Sequence, residues 1–260
     1  MRYLKLLSAS FSLSLRQEMA FRTNLFFQLL MTIISIVSGL VVLGVVYTQT
    51  RSLAGWNLGE SVVLLGTFQI VGGIFQTFIT PNLNWFAGKV KDGTLDSILM
   101  QPIPSLYMVS LGKCAPLALT QVATGLLVVL LGLRDLGILR TPWGFLGWLM
   151  LAATGVIVAW ATRALSSSLA FWAPSVELSV FYDALWQFGR YPVTIYQQPL
   201  RFLLTYILPF AFIATFPTSA LLGRADPLLP ILGLVISALA FTLVQLVWHA
   251  GLRRYTSATS

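Results

Sequence analysis

Long runs of apolar residues, separated by short polar segments, make up most of the chain. The runs fall at residues 25–47, 61–80, 107–131, 143–163, 164–186 and 228–248. Each could form a helix that crosses a hydrocarbon core of about 30 Å, which takes roughly 20 residues. Strand-length alternation of apolar and polar residues is absent, so a membrane barrel is not favoured. The pattern predicts an all-α polytopic membrane protein, with six transmembrane helices in a single transmembrane domain over 1–260.

The first 24 residues have a different, amphipathic pattern. Apolar residues step by three or four positions, and polar and basic residues fall between them. The apolar positions are Leu4, Leu7, Phe11, Leu15 and Met19. Residues 1–24 are therefore predicted to form a helix that lies in the headgroup layer of the bilayer, with its apolar face towards the acyl chains.

Residues 89–104 form the longest polar interruption in the first half of the chain. A glycine and two prolines there prevent one continuous helix. Leu95, Ile98 and Leu99 are spaced at i, i+3 and i+4, so a short helix would have one apolar face. Two interpretations are open: a solvated loop with a helical turn, or a short helix at the cytoplasmic surface that hands force to a partner.

The composition agrees with a membrane protein. Hydrophobic residues make up 57% of the 260 residues and charged residues 9%, whereas soluble domains carry about 25% charged residues. The net charge of +8 would suggest a nucleic-acid partner in a soluble protein. Here the lysines and arginines flank the apolar runs, which is typical of basic residues that orient membrane helices. No nucleic-acid partner is predicted.

The region between the fourth and the last run allows two topologies, each with six spans and both termini in the cytoplasm. In the first, 164–186 crosses the membrane and 190–227 forms a re-entrant segment on the outer side. In the second, 164–199 stays at the cytoplasmic face and 200–223 crosses. The first topology places ten lysines and arginines inside and six outside, and the second places twelve and four. The charge count alone favours the second.

Glu177 is the most conspicuous ionisable residue within the apolar runs. On insertion scales a charged side chain at the bilayer centre costs about 2.5–3.5 kcal/mol. Glu177 is therefore a candidate for lining a translocation path, although an interhelical hydrogen bond that fixes packing would also explain it.

An enzyme or a channel is the alternative to a transport role. One cysteine, Cys114, and one histidine, His249, leave no multi-residue metal site, and no catalytic residue is predicted. A Cys114–His249 pair acting on lipid substrates remains the enzyme alternative. A channel would be expected to show rings of charge or a filter-like glycine run, and neither is seen. The chain also has no Gly-x-x-x-x-Gly-Lys-Ser/Thr loop, so we expect any ATP-derived energy to come from a partner.

Three features of the sequence occur together in one known family of membrane proteins. They are the amphipathic amino-terminal helix, the run 93–104, and Arg-Tyr-Pro at 190–192 before an apolar stretch that Pro209 and Pro217 interrupt. With its six predicted spans, the chain resembles the permease subunit of type-2 ATP-binding-cassette (ABC-2) exporters over nearly its whole length. In that family the broken helices lie on the outer side before the last span, and for this reason we adopt the first topology.

The resemblance implies roles for particular residues. Residues 89–104 would form the coupling loop that docks on a cytoplasmic ATPase subunit, with Lys91, Asp92, Gly93, Thr94, Leu95, Asp96, Ile98, Leu99, Pro102 and Pro104 as candidates. The outer re-entrant helices would include Arg190, Tyr191, Pro192, Pro209 and Pro217. No cofactor is expected in this chain, because ATP and Mg²⁺ would bind to the partner ATPase.

The resemblance also implies an assembly and a location. Two permease subunits, identical or related, would together form an export path for a hydrophobic or amphipathic substrate such as a drug, a lipid or a lipid-linked product. The expected location is the bilayer of a prokaryotic cell membrane, with both termini in the cytoplasm.

Overall fold

The computed structural model describes residues 2–20, 22–136, 141–174, 176 and 178–255, and helices account for most of them. The α-helices are α1 (Arg2–Ala20), α2 (Arg22–Gln49), α3 (Leu58–Phe78), α4 (Thr80–Leu83), α5 (Phe86–Lys91), α6 (Asp96–Leu99), α7 (Ser105–Leu111), α8 (Leu119–Asp135), α9 (Pro142–Ser168), α10 (Leu178–Trp186), α11 (Leu200–Phe202), α12 (Thr215–Leu221) and α13 (Leu229–Arg254). Several short 3₁₀ turns and one π-helical turn connect them.

Within the described residues, five helices are long and apolar enough to cross a membrane. Their ranges are Thr23–Gln49, Leu58–Phe78, Pro116–Asp135, Pro142–Phe171 and Leu229–Arg254. A bent pair near residue 209 is the sixth candidate. In the described ranges β-structure is limited to an isolated bridge between Leu53 and Trp56. The prediction of an all-α polytopic membrane protein is confirmed.

The predicted span 107–131 is not one continuous helix. Helix α7 ends at Leu111, and a short connection precedes the 3₁₀ turn that begins at Pro116. Proline has no N–H to donate, so it cannot continue a helix from α7. Asn82 fixes the connection: the Lys113 N–H donates to Asn82 Oδ1 at 2.7 Å, and Asn82 Nδ2 donates to the Lys113 carbonyl at 2.8 Å.

The predicted span 164–186 is likewise divided. Its first residues complete the long helix Pro142–Phe171, and its last nine form α10. Pro174 lies between the two and interrupts helical hydrogen bonding. At 1.5 Å per residue, α10 is about 14 Å long, which is too short to cross a bilayer alone. It packs beside α3, where the Trp186 ring stacks on Phe75 with centroids 4.9 Å apart.

Helix α3 lies at the centre of the bundle, and most of its residues are buried. Its N-terminus is fixed by a capping box, in which Asn57 and Glu60 each accept from the other's backbone N–H. Gly66 of α3 faces Gly125 of α8 so closely that a Cβ on either would meet the other's carbonyl at 2.8 Å. Small residues therefore allow the close approach of α3 and α8.

Residues 200–221, here called the re-entrant hairpin, consist of two arms with a bend of 72° between them. The bend is at Pro209, which ends the first arm. Its tip lies deep in the bundle, because Phe212 packs against Gly155, near the middle of α9, where no Cβ would fit.

Both arms of the hairpin extend towards the same end of the bundle. Phe202 of the first arm lines one cleft with Gly55, which lies in the connection before α3. Arg224, just after the second arm, donates to the Gly55 carbonyl at 3.4 Å. Both ends of the segment therefore lie near the connection between α2 and α3.

Candidate functional site

Residues 80–111, here called the polar segment, contain the four short helices α4 to α7. Leu95 is fully buried and Ile98 is buried beside it in the core. The Leu95 N–H also donates to the Tyr255 hydroxyl at 3.2 Å, just beyond α13. The apolar face predicted from the spacing of Leu95 and Ile98 therefore packs on the protein's own bundle. The sequence pattern could not show which surface that face would cover.

The opposite side of the polar segment is open to solvent. Met100 is 80% exposed and Leu99 is 38% exposed. Of the other candidates, Lys91, Asp92, Thr94, Pro102 and Pro104 are exposed, whereas Gly93 and Asp96 are partly buried. Gly93 has φ of 65°, a left-handed conformation that glycine adopts at little cost. Gly93 therefore forms the turn that connects α5 to the buried Leu95.

Helix α1 packs beside the polar segment and the break that follows it. The Tyr107 hydroxyl donates to the Tyr3 carbonyl at 2.8 Å. The Leu117 N–H donates to Glu18 Oε2 at 2.9 Å. The Glu18 carboxylate thus takes the place of the backbone carbonyl that would accept this N–H in a continuous helix. The amphipathic helix is therefore attached to the same end of the bundle as the polar segment.

A buried arginine links the polar segment to α9 and α10. Arg163 of α9 is 1% exposed. Its guanidinium donates to Asp183 Oδ1 at 2.9 Å and to Asn84 Oδ1 at 2.7 Å, and it lies over the Tyr182 ring, 4.8 Å from the centroid. Arg163 and Asn84 were not among the predicted site residues, because an arginine at the end of an apolar run is usually an interfacial anchor. The available signal was Asp183, a second charge within the next apolar stretch.

The contacts continue from this arginine to the tip of the re-entrant hairpin. The ring of Tyr182 meets Phe210 edge-on with centroids 5.7 Å apart, and Trp186 meets the same ring at 6.1 Å. A continuous packed path therefore joins Asn84, at one end of the bundle, to the hairpin tip near its middle.

The predicted residues of the re-entrant segment occupy four different positions. Arg190 lies over the Phe68 ring at 5.9 Å, beside the end of α10. Tyr191 and Pro192 form the extended turn that follows. Pro209 is at the bend and Pro217 is buried in α12.

Burial raises the pKa of the Tyr196 phenol, with a smaller contribution from Tyr191. The hydroxyl is therefore neutral, and it donates to the Phe188 carbonyl at 2.9 Å.

The other sequence candidates are dispersed. Glu177 lies outside the described residues. Cys114 is buried in the break after α7, where its N–H donates to Ser14 Oγ at 3.4 Å. His249 lies on the exposed side of α13, with Nδ1 2.6 Å from the Gln245 carbonyl oxygen. No contact in the described part of the chain brings Cys114 and His249 together.

The fold and these polar assemblies define a class: a multi-pass helical membrane protein, with a re-entrant segment reaching the middle of its bundle and a structured polar segment at one end. The family described as ABC-2 family transporter protein matches residues 29–259, and the chain belongs to that family. It is thus a membrane component of a transporter. Searches of curated proteins and of solved structures return no match.

Proposed function

We propose that the chain is the permease subunit of an ATP-driven exporter, that it forms half of the translocation path, and that separate cytoplasmic ATPase subunits bind its polar segment. Family membership supports a transport role, and the lack of a phosphate-binding loop in the sequence supports ATP and Mg²⁺ binding on the partner. The excess of lysine and arginine on the polar-segment side supports a cytoplasmic position for both termini. The membrane in this proposal is a prokaryotic cell membrane.

The observation that carries the proposal is the two-sided packing of the polar segment. One side is anchored to the bundle by Leu95 and by the Tyr255 hydroxyl. The other side presents Leu99 and Met100 to solvent. Exposed apolar side chains on a rigid support suit a protein-binding surface. We name Leu99, Met100 and Pro102 the docking ridge.

Force applied at the docking ridge has a route into the membrane. Asn84, in the same segment, accepts from Arg163, and Arg163 holds Asp183 on α10. In this proposal, closure of the ATPase subunits displaces the polar segment and α10 together, and the hairpin tip moves with them through Phe210. Coupling of this kind requires packed elements with two alternative arrangements.

The second permease subunit would cover α2, most of which is exposed. A groove of about 480 Å³ runs between α2 and the end of α10, and its walls include Val42, Val46, Ala184 and Phe188. These side chains are apolar, which supports a hydrophobic or amphipathic substrate. The groove would form one wall of the export path.

The docking ridge can be tested by co-expression with the neighbouring genes, purification in mild detergent and measurement of the ATPase that copurifies. Met100→Asp places a charge on an exposed apolar contact, and we expect it to reduce the copurified ATPase about tenfold, as for an interface hot spot. Met100→Leu is the matched control and should retain the ATPase. The thermal unfolding midpoint should be unchanged in both variants, because the side chain is exposed.

Undiminished copurification of the ATPase with Met100→Asp would place docking elsewhere on the chain. Leu95 is unsuitable for this test. A change there would disturb the protein's own core and destabilise it whatever the partner does.

A further inference from the structure

A polar cleft lies between the two arms of the re-entrant hairpin. It has a volume of about 670 Å³, and the connection 54–56 closes one side of it. The first arm contributes Arg201, Phe202 and Tyr206, and the second arm contributes Ser219. We call it the hairpin cleft. It is at the end of the bundle opposite the polar segment, because Glu60, in the first turn of α3, contacts Arg224 beside it.

The charges that line the hairpin cleft have one sign. Arg201 and Arg224 both line it, and no aspartate or glutamate is among the described lining residues. Arg224 is already paired with Glu60, which lies behind it. Within the described part of the chain, the Arg201 guanidinium has neither an ion pair nor a hydrogen bond. One guanidinium is therefore held in place and a second is available to a ligand.

A hydroxyl group inside the hairpin cleft also lacks a partner. Thr194 Oγ1 is buried and makes no hydrogen bond, and Thr194 is part of the lining. A buried hydroxyl without a partner costs free energy that a bound acceptor would recover. Phe202 and Tyr206 are exposed at the same arm, with ring centroids 5.1 Å apart. Such rings suit the boundary between headgroups and acyl chains.

We infer that the hairpin cleft binds a phosphate-type anionic headgroup. Arg201 would contact the anion with its forked guanidinium, and Thr194, whose hydroxyl is enclosed in the wall of the cleft, would donate after rotation of its side chain. Arg224 would add a weaker attraction, because Glu60 already balances its charge. Arginine matches phosphate geometry with two parallel hydrogen bonds. The group could belong to an anionic lipid at this membrane face or to a free phosphate. Binding at the site does not depend on which substrate the chain transports.

An anion in the hairpin cleft would act on the hairpin itself. Arg201 belongs to the first arm, while Ser219 and Arg224 belong to the second arm and its continuation. A ligand held between them favours the arrangement of the arms in which these groups converge. The bound anion would therefore stabilise the present position of the hairpin against opening.

The test is a lipid titration of the purified protein, with native mass spectrometry used to count the bound lipids. We expect phosphatidylglycerol to bind tightly as one molecule per chain and phosphatidylcholine to bind more weakly. Arg201→Gln should weaken the phosphatidylglycerol affinity about tenfold, a fall typical for the loss of one charge-assisted contact. Arg201→Lys should restore part of it, because the charge remains without the fork.

Arg51→Gln is the matched control, since Arg51 is an exposed arginine in the same connection between α2 and α3 but does not line the hairpin cleft. It should leave the phosphatidylglycerol affinity unchanged. Inorganic phosphate is the second probe, read as a rise in the thermal unfolding midpoint. A rise that disappears in Arg201→Gln supports the site and shows that a free anion suffices, whereas binding of phosphatidylglycerol alone supports the site and assigns it to lipid.

Two results would overturn the inference. One is equal weakening of phosphatidylglycerol binding by Arg201→Gln and Arg51→Gln, which would show that the lipid responds to the general surface charge and not to the hairpin cleft. The other is the absence of preferential binding for either anionic probe. The thermal unfolding midpoint of ligand-free Arg201→Gln should match that of the unaltered protein, because the side chain is exposed, so misfolding cannot account for a loss.

Discussion

Two ion pairs, at opposite ends of the bundle, have opposite arrangements. At one end Arg163 is buried and Asp183 is exposed, with side-chain exposures of 2% and 64%. At the other end Glu60 is buried and Arg224 is half exposed, with exposures of 5% and 49%. In both pairs the buried charge belongs to a long helix of the bundle. The exposed partner belongs to α10 or to the residues that follow the hairpin.

The two buried charges differ in where their support comes from. Glu60 is stabilised locally, because the Asn57 N–H donates to it and it lies in the first turn of α3, where the helix dipole favours an anion. Arg163 relies on groups from elsewhere in the chain: Asn84, Asp183 and the Ser179 carbonyl. The Arg163 pair is therefore a tertiary link between elements, whereas the Glu60 pair attaches the connection between α12 and α13 to a helix end that is already capped.

The largest effect should come from removing Asp183. Asp183→Ala leaves a buried guanidinium without its carboxylate, but Asp183 itself is 64% exposed, so we expect a loss of about 2 kcal/mol, below the ~3–5 kcal/mol of a fully buried pair. We expect the thermal unfolding midpoint in detergent to fall by roughly 2–4 °C per kcal/mol. Asp135→Ala, at an exposed position at the end of α8, is the control and should be neutral.

The double variant Asp183→Ala with Arg163→Met identifies the cause of the stability loss in Asp183→Ala. An apolar side chain in the buried position should recover most of the lost stability, since a buried pair often contributes little more than a well-packed apolar replacement. If the double variant is no more stable than Asp183→Ala alone, the loss comes from altered packing of α10 and not from a stranded charge.

Removing Arg224 should cost less. Arg224→Gln leaves Glu60 with its Asn57 contact and its place at the helix N-terminus, so we expect a loss of about 1 kcal/mol, measured by the same thermal unfolding. Replacing Asn57 with alanine as well should enlarge the effect, because the side chain that accepts from the Glu60 N–H and caps α3 is then lost, although the Asn57 N–H still donates to Glu60. If Arg224→Gln lowers the stability as much as Asp183→Ala does, the proposed difference between local and tertiary support is wrong.

The smallest expected effect is on salt dependence. The half-exposed Arg224 is screened by added ions, so the stability difference between the unaltered protein and Arg224→Gln should shrink by a few tenths of a kcal/mol at high salt. The Asp183→Ala difference should persist, because it arises from a guanidinium that solvent does not reach. Equal salt sensitivity of the two differences, measured as unfolding midpoints at low and high ionic strength, would contradict this.

The length of the apolar runs was sufficient to predict the class of protein and most of its long helices. It works because a membrane helix must be apolar along its length, so composition alone determines the element. The position of the polar segment along the chain was predicted for the same reason, because a polar stretch cannot be part of such a helix. Prolines also indicated where regular structure would break, as at Pro209.

The orientation of Leu95 and the pairing of Arg163 could not be predicted from the sequence. A short apolar face packs as well on its own bundle as on a partner, and the spacing of Leu95 and Ile98 is the same in both cases. Arg163 pairs with groups 79 positions before it and 20 after it in the chain, and such contacts depend on tertiary packing. The divided span 164–186 was missed although Pro174 lies within it, because the length of the run alone indicates one helix.

The hydrogen bond between Leu95 and Tyr255 joins positions 160 residues apart. A chain that emerges from its amino terminus at about 5–20 residues per second presents the polar segment many seconds before its anchor exists. Until α13 has been made and inserted, the segment lacks one of the contacts that hold it in place. The polar segment is then among the last parts of the protein to be completed, although it is made in the first half of synthesis.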